Sequence, residues 1–206
     1  MSNRYDFNNP ETLAQARKML LKVVSILDNN HIPYFLEAGT LLGIVRDGDL
    51  IPWDHDMDLC ITNDVAVQLL KIRRKFLAVG FKVSMRRHNC SSEPIQKGDL
   101  RMIKIKPIPQ YIRAMFTGTS VPNYPVIDIF VKYRHAGFVF WEVEKNILKT
   151  SDSFYRSSEE IKYEGKALKA PLCYKEYLKE KYGDWQTPKR EWELKTGDFM
   201  VVKGDE

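Results

Sequence analysis

A mixed α/β (α+β) fold, with one central sheet flanked by helices and a helical C-terminal part, is what this 206-residue sequence predicts. Three observations carry that expectation. Apolar residues recur at helical spacing near the N-terminus. Short apolar or alternating runs bounded by turn residues follow. The elements run helix, strands, helix, more strands and a last helix.

The first helix opens at Asn8-Asn9-Pro10-Glu11-Thr12, a capping residue followed by proline, and shows its apolar face at Leu13, Ala16, Leu20, Val23 and Leu27. It ends near Asn29-Asn30. His31 to Leu36 reads as a short strand, Glu37 to Arg46 as a turn plus a short helix, and Asp47-Gly48-Asp49 as a closing turn. Leu50 to Thr62 is an approach and a strand, and Asp64 to Ala78 a second amphipathic helix stopped at Gly80. Strands are expected over Phe81 to Met85, Leu100 to Lys106, Val126 to Tyr133 and Phe138 to Val143. The last two flank a hairpin turn at Arg134 to Gly137. Residues 88–99 form a loop, and 107–124 an irregular segment of the kind that shapes or lids a site. Pro171 to Tyr182, stopped by Gly183, is the last helix. One domain is expected, with a core over about 12–145 and the helical part over about 146–206.

Composition bounds the function. Hydrophobic residues at 44% and charged residues at 29% describe a folded chain with a full core and exclude wholesale disorder. The net charge of +5 suits an anionic ligand, a nucleic acid or an acidic membrane surface, and equally a solvated basic surface. Cys60, Cys90 and Cys173 are far apart and form no CxxC pair, so neither a zinc knuckle nor a disulfide framework is expected. The N-terminus has no apolar run of the signal-peptide kind, and no stretch approaches the about 18 apolar residues of a membrane span. A cytoplasmic protein is the expectation, with peripheral contact at a membrane face left open and the oligomeric state unread.

The chemistry concentrates in Ile51-Pro-Trp-Asp-His-Asp-Met-Asp-Leu-Cys-Ile61. On a strand, Asp54, Asp56 and Asp58 share one face, while His55 falls on the other and takes a structural role. Carboxylates so placed repel one another unless a cation sits among them, and hard oxygen ligands suit Mg²⁺ or Mn²⁺. Asp128 interrupts the apolar strand Val126 to Phe130. Alone, it is as well explained by an internal salt bridge as by a metal. Upstream, Gly39-Thr40 opens a short helix whose backbone N–H groups face an anion, and Thr40 either caps that helix or bonds a phosphate oxygen. Arg46 has the fork for a diphosphate, or else pairs with Asp47 or Asp49.

Together, Glu37-Ala-Gly-Thr-Leu-Leu-Gly-Ile-Val-Arg46, Ile51-Pro-Trp-Asp-His-Asp-Met-Asp58, Ile127-Asp-Ile-Phe130 and the terminal Leu178-x-x-x-Tyr182-Gly-Asp-Trp185 resemble the LicD/fukutin family of nucleotidyltransferase-fold proteins. The resemblance implies a nucleotidyltransferase-type mixed sheet. It also implies transfer of a phospho-alcohol unit (phosphocholine, ribitol phosphate or similar) from a CDP-activated donor to a glycan or glycolipid hydroxyl. Asp56 and Asp58 become Mg²⁺ ligands, Asp128 a third ligand or the base, and Asp54 a ligand or an orienting group. Gly39, Thr40 and Arg46 would hold the donor phosphates.

Lys104 and Lys106 share a strand face and add positive charge, although a solvated edge explains Lys106 better; Arg101 lies on the other face. Among Trp53, Tyr111, Tyr124 and Trp185, the tryptophans are the better candidates for stacking on a base or caging an ammonium. Two other readings use the same sequence. One is transfer of NMP from an NTP with release of pyrophosphate. The other is a non-catalytic nucleotide- or nucleic-acid-binding protein, which the lack of an aromatic-basic RNA-binding motif disfavours.

Overall fold

The computed structural model describes residues 6–109, 112, 116, 124–143 and 146–190, together with the backbone of 201–203. Helix α1 (Pro10–Asp28) starts where its capping chemistry dictates. The Asn9 side chain accepts from the Glu11 and Thr12 N–H groups, and Pro10 sits in the first turn, where no N–H is needed. Its buried face, Ala16, Met19, Leu20, Val23, Val24 and Leu27, repeats every three to four residues and joins the core.

The predicted strand from His31 contracts to β1 (Phe35–Leu36), because the chain first turns at His31 with a positive φ of 54°. Helix α2 (Ala38–Arg46) and strand β2 (Met57–Thr62) follow. The single helix expected over 64–78 is two, α3 (Asn63–Lys71) and α4 (Arg73–Ala78), broken at Ile72, whose ψ of 5° is not helical. The break lets α3 pack on β2 and β5 while α4 turns to β3 and α1. Gly80, at φ 86°, then ends the helical segment.

The sheet continues through β3 (Phe81–Arg87), β4 (Leu100–Pro107), β5 (Ile127–His135), β6 (Phe138–Val143) and β7 (Asn146–Ser151). A single 3-10 turn (Asp152–Tyr155), the hairpin β8 (Ser158–Tyr163) with β9 (Lys166–Pro171), helix α5 (Tyr174–Tyr182) and the short strand β10 (Val201–Lys203) complete the described chain. The expected helical C-terminal part is thereby corrected. Residues 146–171 are mostly strand, Pro171 ends β9, and α5 is the one helix of that part among the described residues. Positive φ at Ala136 (48°) and Gly137 (81°) gives the β5–β6 hairpin the turn that follows strand twist.

Strand order is β1-β2-β5-β6-β7-β10, with β4 pairing β5 and β3 outside β4. β2 and β5 run parallel, and every other pair is antiparallel. Strand β5 is thus flanked over Ile127–Phe130 by β2 on one edge and β4 on the other. Its burial is continuous from Ile127 to Lys132, as expected of a central strand. The mixed α/β class is what the structure shows.

Helix α2 lies so closely against the loop before β2 that the positions facing that loop, Gly39 and Gly43, carry no side chain. A Cβ on Gly43 would stand 2.6 Å from the Asp49 carbonyl oxygen and 2.9 Å from the Ile51 nitrogen, both backbone atoms that cannot rotate away. Gly43→Ala should therefore cost about 1–3 kcal/mol of stability in urea unfolding, whereas Ala at exposed Gln68 of α3 should change it by less than about 0.5 kcal/mol.

Candidate functional site

The acids converge, but not as a strand. Strand β2 begins at Met57, so Asp54, His55 and Asp56 occupy the loop ahead of it and side-chain alternation does not apply to them. His55, expected on the far face, lies between its neighbours: Nδ1 is 3.7 Å from Asp54 Oδ1 and Nε2 is 3.9 Å from Asp56 Oδ2. One ligand atom from each of Asp54, His55 and Asp56 falls within 4.8 Å of the others. Backbone bonds fix this loop. Phe7 N–H donates to the Asp54 carbonyl (3.0 Å), and Asp54 N–H to that of Ile51 (3.0 Å).

Beyond the loop the sheet supplies a row of charges. Asp58 of β2 is paired in register with Asp128 of β5, and Asp128 with Lys104 of β4, so the three share one face. Lys104 Nζ donates to Asp128 Oδ2 (2.7 Å), which is the internal ion pair weighed for Asp128 from sequence. It satisfies one oxygen only: Oδ1 is buried with no hydrogen-bond partner. Burial and then Asp56 push Asp54 up to about 7, while burial, Asp56, Asp54 and Asp128 together lift Asp58 well above the carboxylate range. Burial raises Asp128 too, against the hydrogen bond from Lys104. Lys106 lies on an inner strand rather than a solvated edge, and its charge also reaches Asp128. Mutually repelling hard oxygens with a buried atom left over form a donor set that fits a divalent cation.

Helix α2 holds Asp58 from behind. Asp58 N–H donates to Thr40 Oγ1 (2.8 Å), and Glu37 N–H donates to the Asp58 carbonyl (3.1 Å). Thr40 is 2% exposed, so its placement is that of a support for Asp58 rather than of a surface group facing phosphate. Gly39 sits in the first turn of α2, and a Cβ there would overlap Asp54 Oδ2. The preceding Ala38 has a positive φ of 44°, a conformation L-residues rarely hold. Arg46 is held by Asp47, through Nε (2.8 Å) and Nη2 (2.7 Å), whereas Asp49 is taken by Arg17 and Tyr163.

Gly39, Arg46, Trp53, Asp54 and His55 line a cleft of about 470 Å³ together with Tyr182, Trp185, Lys189 and Arg190. The Arg190 guanidinium lies 5.9 Å from the Trp53 ring centroid. Tyr124, one of the aromatics considered for stacking, is 4% exposed in the interior, and Tyr111 lies outside the described residues.

Missed by the sequence reading is a second charge cluster beneath the site. Glu37, fully buried, accepts from Lys132 Nζ (2.7 Å), Lys181 Nζ (2.5 Å) and Tyr177 Oη (2.5 Å). Lys132, also fully buried, lies 3.7 Å from the Trp141 ring centroid and donates to Tyr177 Oη (3.2 Å) and Tyr155. Burial opposes charge on Glu37, but Lys132 and Lys181 outweigh it and hold the carboxyl below its ordinary range. Burial likewise pulls Lys181 down, and Glu37, Tyr182 and Asp58 more than reverse it. The available signal was Lys132 directly after the apolar Ile129-Phe130-Val131, an interruption of the same kind that drew attention to Asp128.

Replacing Glu37 by Gln leaves two buried ammonium groups without their anion and should cost about 3–5 kcal/mol in urea unfolding. Because the folded state depresses this carboxyl, its contribution is complete above the ordinary carboxylate pKa and is lost as pH falls through the lower folded value. The gap between Glu37→Gln and the parent should accordingly narrow in acid.

Three comparisons place the chain. The family model "LicD/FKTN/FKRP, nucleotidyltransferase domain" matches residues 31–173, which leaves the terminal Leu178 to Trp185 stretch outside the match. The chain is 46% identical over 52 residues, 25% of its length, to the ribitol 5-phosphate transferase FKRP of Homo sapiens, and equally to that of Mus musculus. It is 40% identical over 62 residues, 30% of its length, to an uncharacterized protein of Rickettsia prowazekii (strain Madrid E). These stretches cover 10% of the FKRP proteins and 23% of the rickettsial one. Among solved structures, lincomycin-bound lincosamide antibiotic adenylyltransferase LnuA is similar at a TM-score of 0.44 and 13% identity, over 78% of this chain and 83% of that one. ANT(2")-Ia in complex with adenylyl-2"-tobramycin is similar at 0.43 and 11%, over 79% and 76%. With the family model matching well over half of its residues, the chain belongs to the LicD/FKTN/FKRP nucleotidyltransferase-domain family.

Proposed function

We propose that this protein is a metal-dependent phosphotransferase that moves a phospho-alcohol unit from a CDP-activated donor to a glycan or glycolipid hydroxyl. The observation that carries the reading is the row Asp58–Asp128–Lys104 with Asp56 at its mouth, one oxygen of Asp128 buried and unclaimed. Family membership and the likeness to ribitol 5-phosphate transferases support the kind of unit transferred.

In this reading Asp56, Asp58 and Asp128 Oδ1 hold Mg²⁺ or Mn²⁺, with Asp54 beside them. Bound there, the cation would neutralise phosphate charge and stabilise the leaving nucleotide. The protein's own part is positioning and charge. Lys104 fixes Asp128 and adds a positive charge beside the donor phosphates. Thr40 and Glu37 hold the Asp58 backbone in place beneath the row. Gly39 and Arg46 face the cleft that receives the diphosphate, and Arg46 reaches it while steadied by Asp47. Trp53 and Trp185, both lining the cleft, are the aromatics that would stack on the nucleobase or a quaternary ammonium.

The test is a melting panel of CDP-choline, CDP-ribitol, CDP-glycerol, CTP and ATP, each with Mg²⁺ and with EDTA. A matching donor at a hundredfold excess over its Kd should stabilise by about 2.7 kcal/mol with Mg²⁺, and not with EDTA or after Asp58→Asn. Preference for an NTP would turn the reading to nucleotidyl transfer, and no metal-dependent binding of any member would remove the catalytic reading for these donors. Burial and neighbouring acids hold Asp54, Asp58 and Asp128 above the ordinary carboxylate range, so protons compete with the cation. Mn²⁺ affinity measured by calorimetry should rise as pH is raised through about 7, where Asp54 gives up its proton.

A further inference from the structure

Between Asp64 and Glu93 the sequence has no acidic residue, yet it carries Lys71, Arg73, Arg74, Lys75, Lys82, Arg86 and Arg87. Those seven cations exceed the chain's whole net charge of +5, so everything outside the segment sums to −2. The surplus read from composition as a diffuse basic surface is one region. The fold keeps it together: α3 contacts α4, and α4 contacts β3, the strand outside β4. All seven side chains are exposed. Lys75 bonds Asn30 and Arg87 the Gly98 carbonyl, neither of them a carboxylate.

The same segment exposes aliphatic side chains. Val67 is 62% exposed, Leu77 59% and Met85 41%, whereas its aromatics, Phe76 and Phe81, are buried. On α3, Val67 and Lys71 are four residues apart; on α4, Arg73 and Arg74 stand four and three residues from Leu77. Each helix therefore shows an aliphatic residue and a cation on one exposed side. A nucleic-acid surface would offer rings for stacking, and none is exposed between 65 and 92. Cations around protruding aliphatic side chains instead match the boundary between anionic headgroups and acyl chains.

We infer that the α3–α4–β3 surface docks on an anionic lipid bilayer. Each basic residue near such a surface adds to the electrostatic attraction, and the aliphatic tips add shallow burial. The binding itself is independent of the transferase reading and is measured without turnover.

The experiment is cosedimentation of the full chain with vesicles of phosphatidylcholine alone and of an equimolar phosphatidylcholine–phosphatidylglycerol mixture, at low and high salt. Binding is expected only to the mixed vesicles and should weaken with salt. The double variant Arg73→Glu, Arg74→Glu should lower partitioning at least about tenfold. Val67→Ser with Leu77→Ser should lower it at unchanged net charge. All four side chains are exposed, and melting curves matching the parent would confirm that the variants fold. Equal binding to both vesicles, charge-reversed protein that partitions like the parent, or binding to a single-stranded oligonucleotide in preference to the mixed vesicles would overturn the inference.

Discussion

The parallel pairing of β2 with β5 is the constraint on which the rest of this molecule turns. It sets Asp58 and Asp128 side by side on two buried strands. A one-residue slip between the strands would turn one carboxylate to the other face and bring an apolar neighbour beside the one that stays. Two such groups repel in an apolar surround, and the structure answers from three directions. β4 brings Lys104 to one oxygen of Asp128, α2 fixes the Asp58 backbone through Thr40 and Glu37, and α5 brings the charge of Lys181. One buried oxygen of Asp128 remains without a partner among the described residues, the place where the proposed cation would sit.

Beneath this row the signs reverse. Glu37 is one carboxylate between two ammonium groups, while the row above it is rich in carboxylates. Lys181 belongs to both, bonded to Glu37 and felt by Asp58. Helix α5 is thereby pinned beside the cleft, which Tyr182 and Trp185 line. Site and fold share one electrostatic framework, so a substitution at Glu37 or Lys181 perturbs stability and cleft shape together.

Local chemistry was legible and distant pairing was not. Asn9 and Pro10 announce the start of α1, the acids around Asp56 announce a crowded carboxylate cluster, and Asp128 stands out in an apolar strand. The break at Ile72 follows from packing onto different strands, which no residue between Lys71 and Lys75 signals. Strand β8 escaped because Ser158 to Tyr163 opens with two consecutive glutamates and has only Tyr163 fully buried, so it shows no apolar alternation along its length. His55 was misplaced because the strand was extended backward through a loop. The Glu37–Lys132 pair spans 95 residues, and only the fold could bring it together.

The most direct measurement is anomalous diffraction from a crystal of the protein grown with Mn²⁺. The expected result is a peak bounded by Asp56, Asp58 and Asp128, in contact with the Oδ1 atom that now lacks a partner. A peak confined to Asp54, His55 and Asp56, or none at saturating Mn²⁺ with the carboxylates ionised, would contradict the assignment of the paired strands as the metal-holding centre.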